Sequence, residues 1–212
     1  MKKHIVCFGD SNTHGYCADP SDTETGGTRF SENERWTCLL QNLLGDDYLI
    51  IEEGLSGRTT VFSDPLHESM SGLDSIYSCL MSHEPVDLLI IMLGTNDCKE
   101  RLGQSAPCIS LGLDRLIKKA QTVLCWRNKP NILVISPPWM KEGFSDIYMG
   151  LCCIEKSRQL APYFEQKAKE NGCAFLDAEN IAEFNKIDFT HLTRLGHSQL
   201  AHKLAQLVPE LL

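Results

Sequence analysis

Two segments at opposite ends of the chain hold the residue types needed to break an acyl bond. Gly9-Asp10-Ser11-Asn12-Thr13-His14-Gly15 presents a serine hydroxyl directly after the apolar run His4 to Phe8. The end of a strand, on the way into a helix, is a nucleophile's address. The string is not the G-x-S-x-G elbow, because Thr13 stands where the second glycine would be. A serine in such a turn also serves as a helix N-cap, its oxygen accepting an orphan backbone N–H. Near the other end, Asp188-Phe189-Thr190-His191 sets a carboxylate three residues before an imidazole. Within one turn, that spacing lets the acid hold the ring's tautomer. A neutral serine attacks poorly until a positioned base takes its proton, so Ser11 would need such a ring close by in the fold. Of the histidines at 4, 14, 67, 83, 191, 197 and 202, His191 follows an acid by three positions in a predicted loop just ahead of the last helical pattern. His197 and His202 fall in the last helical pattern and are read as solvated surface residues, and His14 could line the crevice beside Ser11.

Two more segments could stabilise negative charge. In Glu52-Glu53-Gly54-Leu55-Ser56-Gly57-Arg58-Thr59-Thr60 the glycines permit unusual dihedrals and close backbone approach, so a backbone N–H near Gly57 could face a ligand. A plain glycine turn would use the same residues. No Gly-Lys-Ser/Thr follows, so this is not a phosphate-binding P-loop. In Gly94-Thr95-Asn96-Asp97 the Asn96 amide could donate to an oxyanion, or close an Asx turn. Arg58 and the Trp139-Met140 loop could wall a pocket, one supplying a donor and the other apolar bulk.

What must position these residues is legible in the hydrophobic pattern. Five short apolar runs, His4 to Phe8, Tyr48 to Ile51, Val86 to Leu93, Asn131 to Ser136 and Cys173 to Leu176, read as buried strands. Helix-period patterns alternate with them: Leu39, Leu40, Leu43 and Leu44; Leu73, Ile76, Leu80 and Met81; Leu113, Leu116, Ile117, Ala120 and Leu124. A stretch around Ile154 to Ala168 and a last one with Leu200, Ala201, Leu204, Leu207 and Val208 complete the series. The alternation predicts an α/β fold, a parallel sheet covered by helices on both faces, with the crevice at the strands' carboxyl ends. Two longer connections, Cys17 to Glu34 and Pro137 to Gly150, lack periodicity, and loops of that length are often functional.

Composition narrows the partners. The 212 residues predict one domain, 1–212, large enough to form a core without disulfides or metals. A formal charge of -8 leaves no excess of positive charge for a phosphate backbone, which argues against nucleic acid. The longest apolar run, Leu88 to Leu93, is strand-sized, so no membrane span is expected. The apolar stretch after Lys2 and Lys3 stops at Gly9-Asp10, short of a signal peptide, and a cytoplasmic location follows. The ten cysteines show neither zinc nor thioredoxin spacing. Cys7, Cys79, Cys125 and Cys173, within or beside apolar segments, are read as small hydrophobic thiols.

Gly9-Asp10-Ser11, Gly57, Gly94-Thr95-Asn96-Asp97 and Asp188-x-x-His191, in that order along the chain, resemble the four blocks of the SGNH hydrolases, the GDSL esterase/lipase family. Gly9-Asp10-Ser11-Asn12-Thr13-x-Gly15, Glu53-Gly54-Leu55-Ser56-Gly57-Arg58-Thr59-Thr60 and Leu93-Gly94-Thr95-Asn96-Asp97 resemble more closely still the habitual strings of the arylesterase-like branch. The resemblance spans residues 4 to 208. It implies a three-layer α/β/α sandwich, flavodoxin-like, with a five-stranded parallel sheet. It also implies a serine esterase acting on short acyl, acetyl or aryl esters through an acyl-enzyme, with no metal and no organic cofactor. Carried over residue by residue, Ser11 is the nucleophile, His191 the base and Asp188 its orienting acid. The oxyanion hole is the Ser11 and Gly57 backbone N–H groups with the Asn96 amide. Some members carry Ala at the Gly57 position, a difference expected to matter little to a backbone donor. Asn12 stands where the usual block has Leu, a change expected to alter the loop rather than the chemistry. The absence of a long hydrophobic lid argues against a lipase, and relatives in this branch suggest a homo-oligomer. Two rivals use the same residues. One is a metal-dependent phosphoesterase with Asp10, Asn96, Asp97, Asp188 and His191 as ligands. The other is a flavodoxin-like binding module without turnover.

Overall fold

A computed structural model describes all residues, 1–212. The five apolar runs form strands β1 (Lys3–Gly9), β2 (Tyr48–Gly54), β3 (Leu88–Met92), β4 (Ile132–Ser136) and β5 (Ala174–Asp177). All pair in parallel, in the order β2-β1-β3-β4-β5. All five residues of β3 and of β4 are buried, which is why these runs carry no polar residue until the last position of β4. The helices are α1 (Ser11–His14), α2 (Trp36–Leu44), α3 (Gly72–Ser82), α4 (Ala106–Gln121), α5 (Cys153–Arg158), α6 (Leu160–Glu170) and α7 (Arg194–Leu211).

Alternating strand residues face two cores. Val6, Phe8, Leu89, Ile91 and Val134 pack against α3, α4 and α6, through Ile76, Leu80, Leu113, Leu116, Ile117, Leu160 and Phe164. Ile5, Cys7, Leu88, Ile90, Leu133 and Ile135 pack against α2 and α7, through Trp36, Leu40, Leu200, Ala201, Leu204 and Val208. The three-layer α/β/α sandwich of the SGNH hydrolases is therefore present. Each fully buried Leu or Ile in such a core contributes on the order of 2 kcal/mol.

Two helical expectations need correction. Leu124 lies beyond α4 and is 90% exposed, because the helix ends at Gln121 and the turn that follows points Val123 and Cys125 inward instead. The stretch from Ile154 to Ala168 is not one helix but α5 and α6, which meet at Gln159. No helix is long and apolar enough to cross a membrane.

Because β1 is flanked by β2 and β3, the chain leaves its carboxyl end in one direction and returns in the other. That reversal opens a crevice above Gly9, which lies level with Gly54 of β2 and Met92 of β3. Close approach there is enforced by the absence of side chains. A Cβ on Gly54 would lie 2.2 Å from the His14 backbone nitrogen, so α1 rests directly on the end of β2.

Candidate active site

Asp10, not Ser11, caps α1. Its carboxylate accepts the Asn12 N–H at 2.9 Å, which leaves the Ser11 hydroxyl free of a capping role. The Ser11 Oγ instead lies 2.9 Å from His191 Nε2. His191 Nδ1 lies 2.6 Å from Asp188 Oδ2, so hydroxyl, imidazole and carboxylate form one line across residues from the two ends of the chain. The other carboxylate oxygen, Asp188 Oδ1, accepts the Thr190 and His191 N–H groups at 3.0 and 3.1 Å and the Asn185 amide at 2.8 Å. Burial opposes charge on Asp188, yet these donors and the His191 ring hold its carboxyl down at about 2. At neutral pH it is an anion beside the ring, the state in which it fixes a tautomer with the proton on Nδ1 and the lone pair on Nε2. Tyr16 covers the ring from one side, its centroid 4.5 Å away.

The anion-stabilising candidates converge on the same crevice. Neither the Ser11 nor the Gly57 N–H donates to a protein acceptor. Gly57 sits at φ +92, so the alanine expected to matter little there would be strained, with its Cβ 3.1 Å from the Met70 sulfur. Asn96 Nδ2 donates to the Arg58 carbonyl at 3.2 Å and, at a longer 3.4 Å, to Asp10 Oδ2. Beneath it, Asp97 receives the Thr60 N–H at 3.0 Å, tying the Gly57 loop to the end of β3. Burial pushes the Asp10 and Asp97 carboxyls up to about 6 each.

The side chains of Arg58 and Trp139 are not brought to this place. Arg58 is buried, its guanidinium 4.0 Å from the centre of the Phe8 ring and donating to the Gly9 and Glu53 carbonyls. It satisfies strand-end carbonyls instead of walling a pocket. Trp139 lies between Lys141 and Arg158, 4.2 and 4.5 Å from its ring. The cleft it lines, with Ser136, Pro137, Ala161 and Asp177, contains none of Ser11, Asn96 or His191. Met140 is in the core. The ring of His14 makes no hydrogen bond to Ser11. His197, expected on the surface, is fully buried on the inner face of α7, where it packs edge-on against Phe30; its Nδ1 accepts the Trp36 N–H at 3.2 Å and its Nε2 has no partner.

Sequence reasoning missed Asn185 and gave Asn12 no more than an altered loop. Asn185 accepts the Asp188 N–H at 2.9 Å and donates to the His191 carbonyl at 2.8 Å, so it shapes the whole acid–base loop. Its position three residues before an aspartate, in a loop, was a turn signal. The ligands of the metal rival are already engaged: Asp10 by Asn12, Asp97 by Thr60, Asp188 by His191. The donor set that does lie close together is Glu53 on β2, Cys79 on α3 and His83 just past the end of α3, their ligand atoms within 4.8 Å of one another. There His83 Nε2 is already hydrogen-bonded to Glu53 at 2.7 Å.

Comparison with known proteins agrees with this geometry. Residues 7–199 match the GDSL-like lipase/acylhydrolase family. The native aryl esterase of M. smegmatis superposes with a TM-score of 0.90 at 34% identity, over 99% of this chain and 100% of that one. A carbohydrate acetylesterase from Sinorhizobium meliloti superposes with a TM-score of 0.90 at 32% identity, over the full length of both chains. No curated protein sequence matches the chain. With the family match covering most of its length and esterases as its structural neighbours, the chain belongs to the GDSL-like lipase/acylhydrolase family and is a carboxylic ester hydrolase.

Proposed function

We propose that the chain is a serine esterase that hydrolyses short acyl esters, acetyl or aryl, through an acyl-enzyme on Ser11. The observation that carries this reading is the hydrogen-bonded line from Ser11 Oγ to His191 Nε2 at 2.9 Å and from His191 Nδ1 to Asp188 at 2.6 Å. Ser11 Oγ attacks the ester carbonyl as His191 Nε2 takes its proton, a contribution of about 10² to 10⁴ in rate. Charge moves onto the carbonyl oxygen, where the Ser11 and Gly57 N–H groups and the Asn96 amide receive it. The long Asn96 contact to Asp10, 3.4 Å, is the one given up to the oxyanion, while the contact to Arg58 keeps the amide oriented. Collapse expels the alcohol, protonated by His191, and water attacks the acyl-serine by the same route in reverse. Asp188 stays ionised and steadies the imidazolium formed in each half.

Short acyl groups are favoured because the similar solved structures are an aryl esterase and a carbohydrate acetylesterase. The same reading places the enzyme in the cytoplasm as a single domain that self-associates. Light scattering that finds only a 23.8 kDa species removes the last of these. The test of the mechanism is hydrolysis of p-nitrophenyl acetate, butyrate and octanoate by wild type and Ser11→Ala, with and without chelator. Acetate is expected to be turned over fastest, insensitive to chelator, with activity lost in the variant. Turnover that survives in Ser11→Ala overturns the acyl-enzyme.

A further inference from the structure

Asn12 holds the nucleophile's turn to the base's loop. It is 2% exposed, and each polar atom of its side chain reaches a residue far along the chain. Its Oδ1 accepts the Leu192 N–H at 2.9 Å and its Nδ2 donates to the Thr190 carbonyl at 3.2 Å, across 180 and 178 residues of sequence. Thr190 and Leu192 are the neighbours of His191 on either side, so one amide fixes the backbone both before and after the imidazole. Asn12 is itself held from behind. Its N–H donates to Asp10 at 2.9 Å, and its carbonyl accepts the Trp36 indole N–H at 3.1 Å. Trp36 in turn donates its backbone N–H to His197 on α7.

The other anchors of that loop act differently. Asn185 binds Asp188 and His191, but it belongs to the same segment and gives the loop its internal shape only. Lys141 donates to the Phe189 carbonyl at 3.2 Å from the far side. Apart from the Ser11–His191 contact, the two bonds of Asn12 are the hydrogen bonds that join the α1 turn to residues 185–193. Leucine, the residue the usual GDSL block carries here, has the same branching and nearly the same size, but it can make neither bond. It would leave a buried carbonyl and a buried N–H without partners.

We propose that Asn12 is a positioning residue of this esterase, a latch that sets the distance and angle between Ser11 Oγ and His191 Nε2. The inference rests on the reading of Ser11 and His191 as nucleophile and base. It assigns to position 12 a role in the chemistry, where the sequence suggested only an altered loop. Misplacement of a reacting group by about 1 Å costs on the order of 10²-fold in rate.

The test is Asn12→Leu, with Asn12→Asp as the variant that retains the acceptor for Leu192. For p-nitrophenyl acetate, Asn12→Leu is expected to lower kcat by about 10- to 100-fold with KM little changed. The rate of Ser11 labelling by a fluorophosphonate should fall in parallel, and Asn12→Asp should lose less. The low-field NMR signal of the His191 Nδ1 proton, sharp in wild type, should broaden or shift in Asn12→Leu. A melting temperature that falls while kcat at 15 °C stays within twofold, with the proton signal unchanged, makes Asn12 merely structural and overturns the latch. Wild type that hydrolyses no ester overturns the acyl-enzyme instead, and the proton signal in Asn12→Leu then decides the latch by itself.

Discussion

In the proposed mechanism Asn96 contributes through one hydrogen atom. Its amide donates to the Arg58 carbonyl and, at a longer 3.4 Å, to Asp10 Oδ2. In that mechanism the longer contact is given up to the oxyanion, so Asn96→Ala removes that donor without touching the Ser11–His191 pair. Initial rates on p-nitrophenyl acetate should show kcat lower by about 10²-fold or more with KM changed little, and Ser11 should still be labelled by a fluorophosphonate. A variant with wild-type kcat would remove Asn96 from the hole. At this scale the sequence was informative wherever the chemistry demands a residue type. A hydroxyl, an imidazole, a carboxylate and an amide cannot be replaced by their neighbours, and Ser11, His191, Asp188 and Asn96 stood out for that reason. Asn12, Asn185 and Arg58 were opaque because their value depends on partners, and partners are a property of the folded chain. Arg58 follows a sheet edge and could have faced the crevice, but two strand-end carbonyls within reach drew its guanidinium inward.

Among elements, the contact that matters most to the site is backbone against backbone. The short helix α1 rests on the end of β2 with no side chain between them, since a Cβ on Gly54 would meet His14 N at 2.2 Å and Thr13 C at 2.5 Å. Neither neighbour is the far end of a flexible chain that could swing away. Gly54→Ala must therefore displace α1, and urea unfolding should register a loss of about 3 kcal/mol, at the upper end for overpacking. Activity should fall further than stability alone explains, because Ser11 is the first residue of the displaced helix. The central strands β1, β3 and β4 were legible because burial on both faces leaves mostly apolar runs, and all five strands lie where the pattern puts them, to within two residues except at the carboxyl end of β2. Helix ends were less so. Leu124 satisfied the 3.6-residue period, but α4 had already stopped, since periodicity reports a face and not a terminus.

For the whole molecule, acid sensitivity has a buried source in His197. Burial, and after it the charge of nearby His191 and Arg35, pull its pKa down to about 3, while in the unfolded chain the ring titrates near its ordinary value of about 6.5. Above that value both states are neutral at this site and its contribution to stability is complete. As pH falls below about 6.5 the unfolded chain takes up a proton that the folded one refuses until about 3, so the contribution is lost across that window. His197→Asn, which can keep an acceptor near the Trp36 N–H, should gain on wild type in urea unfolding as pH drops from 6.5 to about 5, whatever its stability at pH 8. Equal pH dependence of the two proteins would show that the ring is not the group responsible.

The line from Ser11 to His191 spans 180 residues, and the acid that orients the base arrives only at position 188. A growing polypeptide thus carries this hydroxyl when only β1 of the sheet has been made, but has no His191 beside it until all five strands have been. Contacts so far apart in sequence form late and slowly. On the proposed acyl-enzyme reading, ester turnover by this chain is in that sense a receipt for completed folding: partial or misassembled molecules hold the proposed nucleophile in an inert state and do not acylate themselves on passing metabolites.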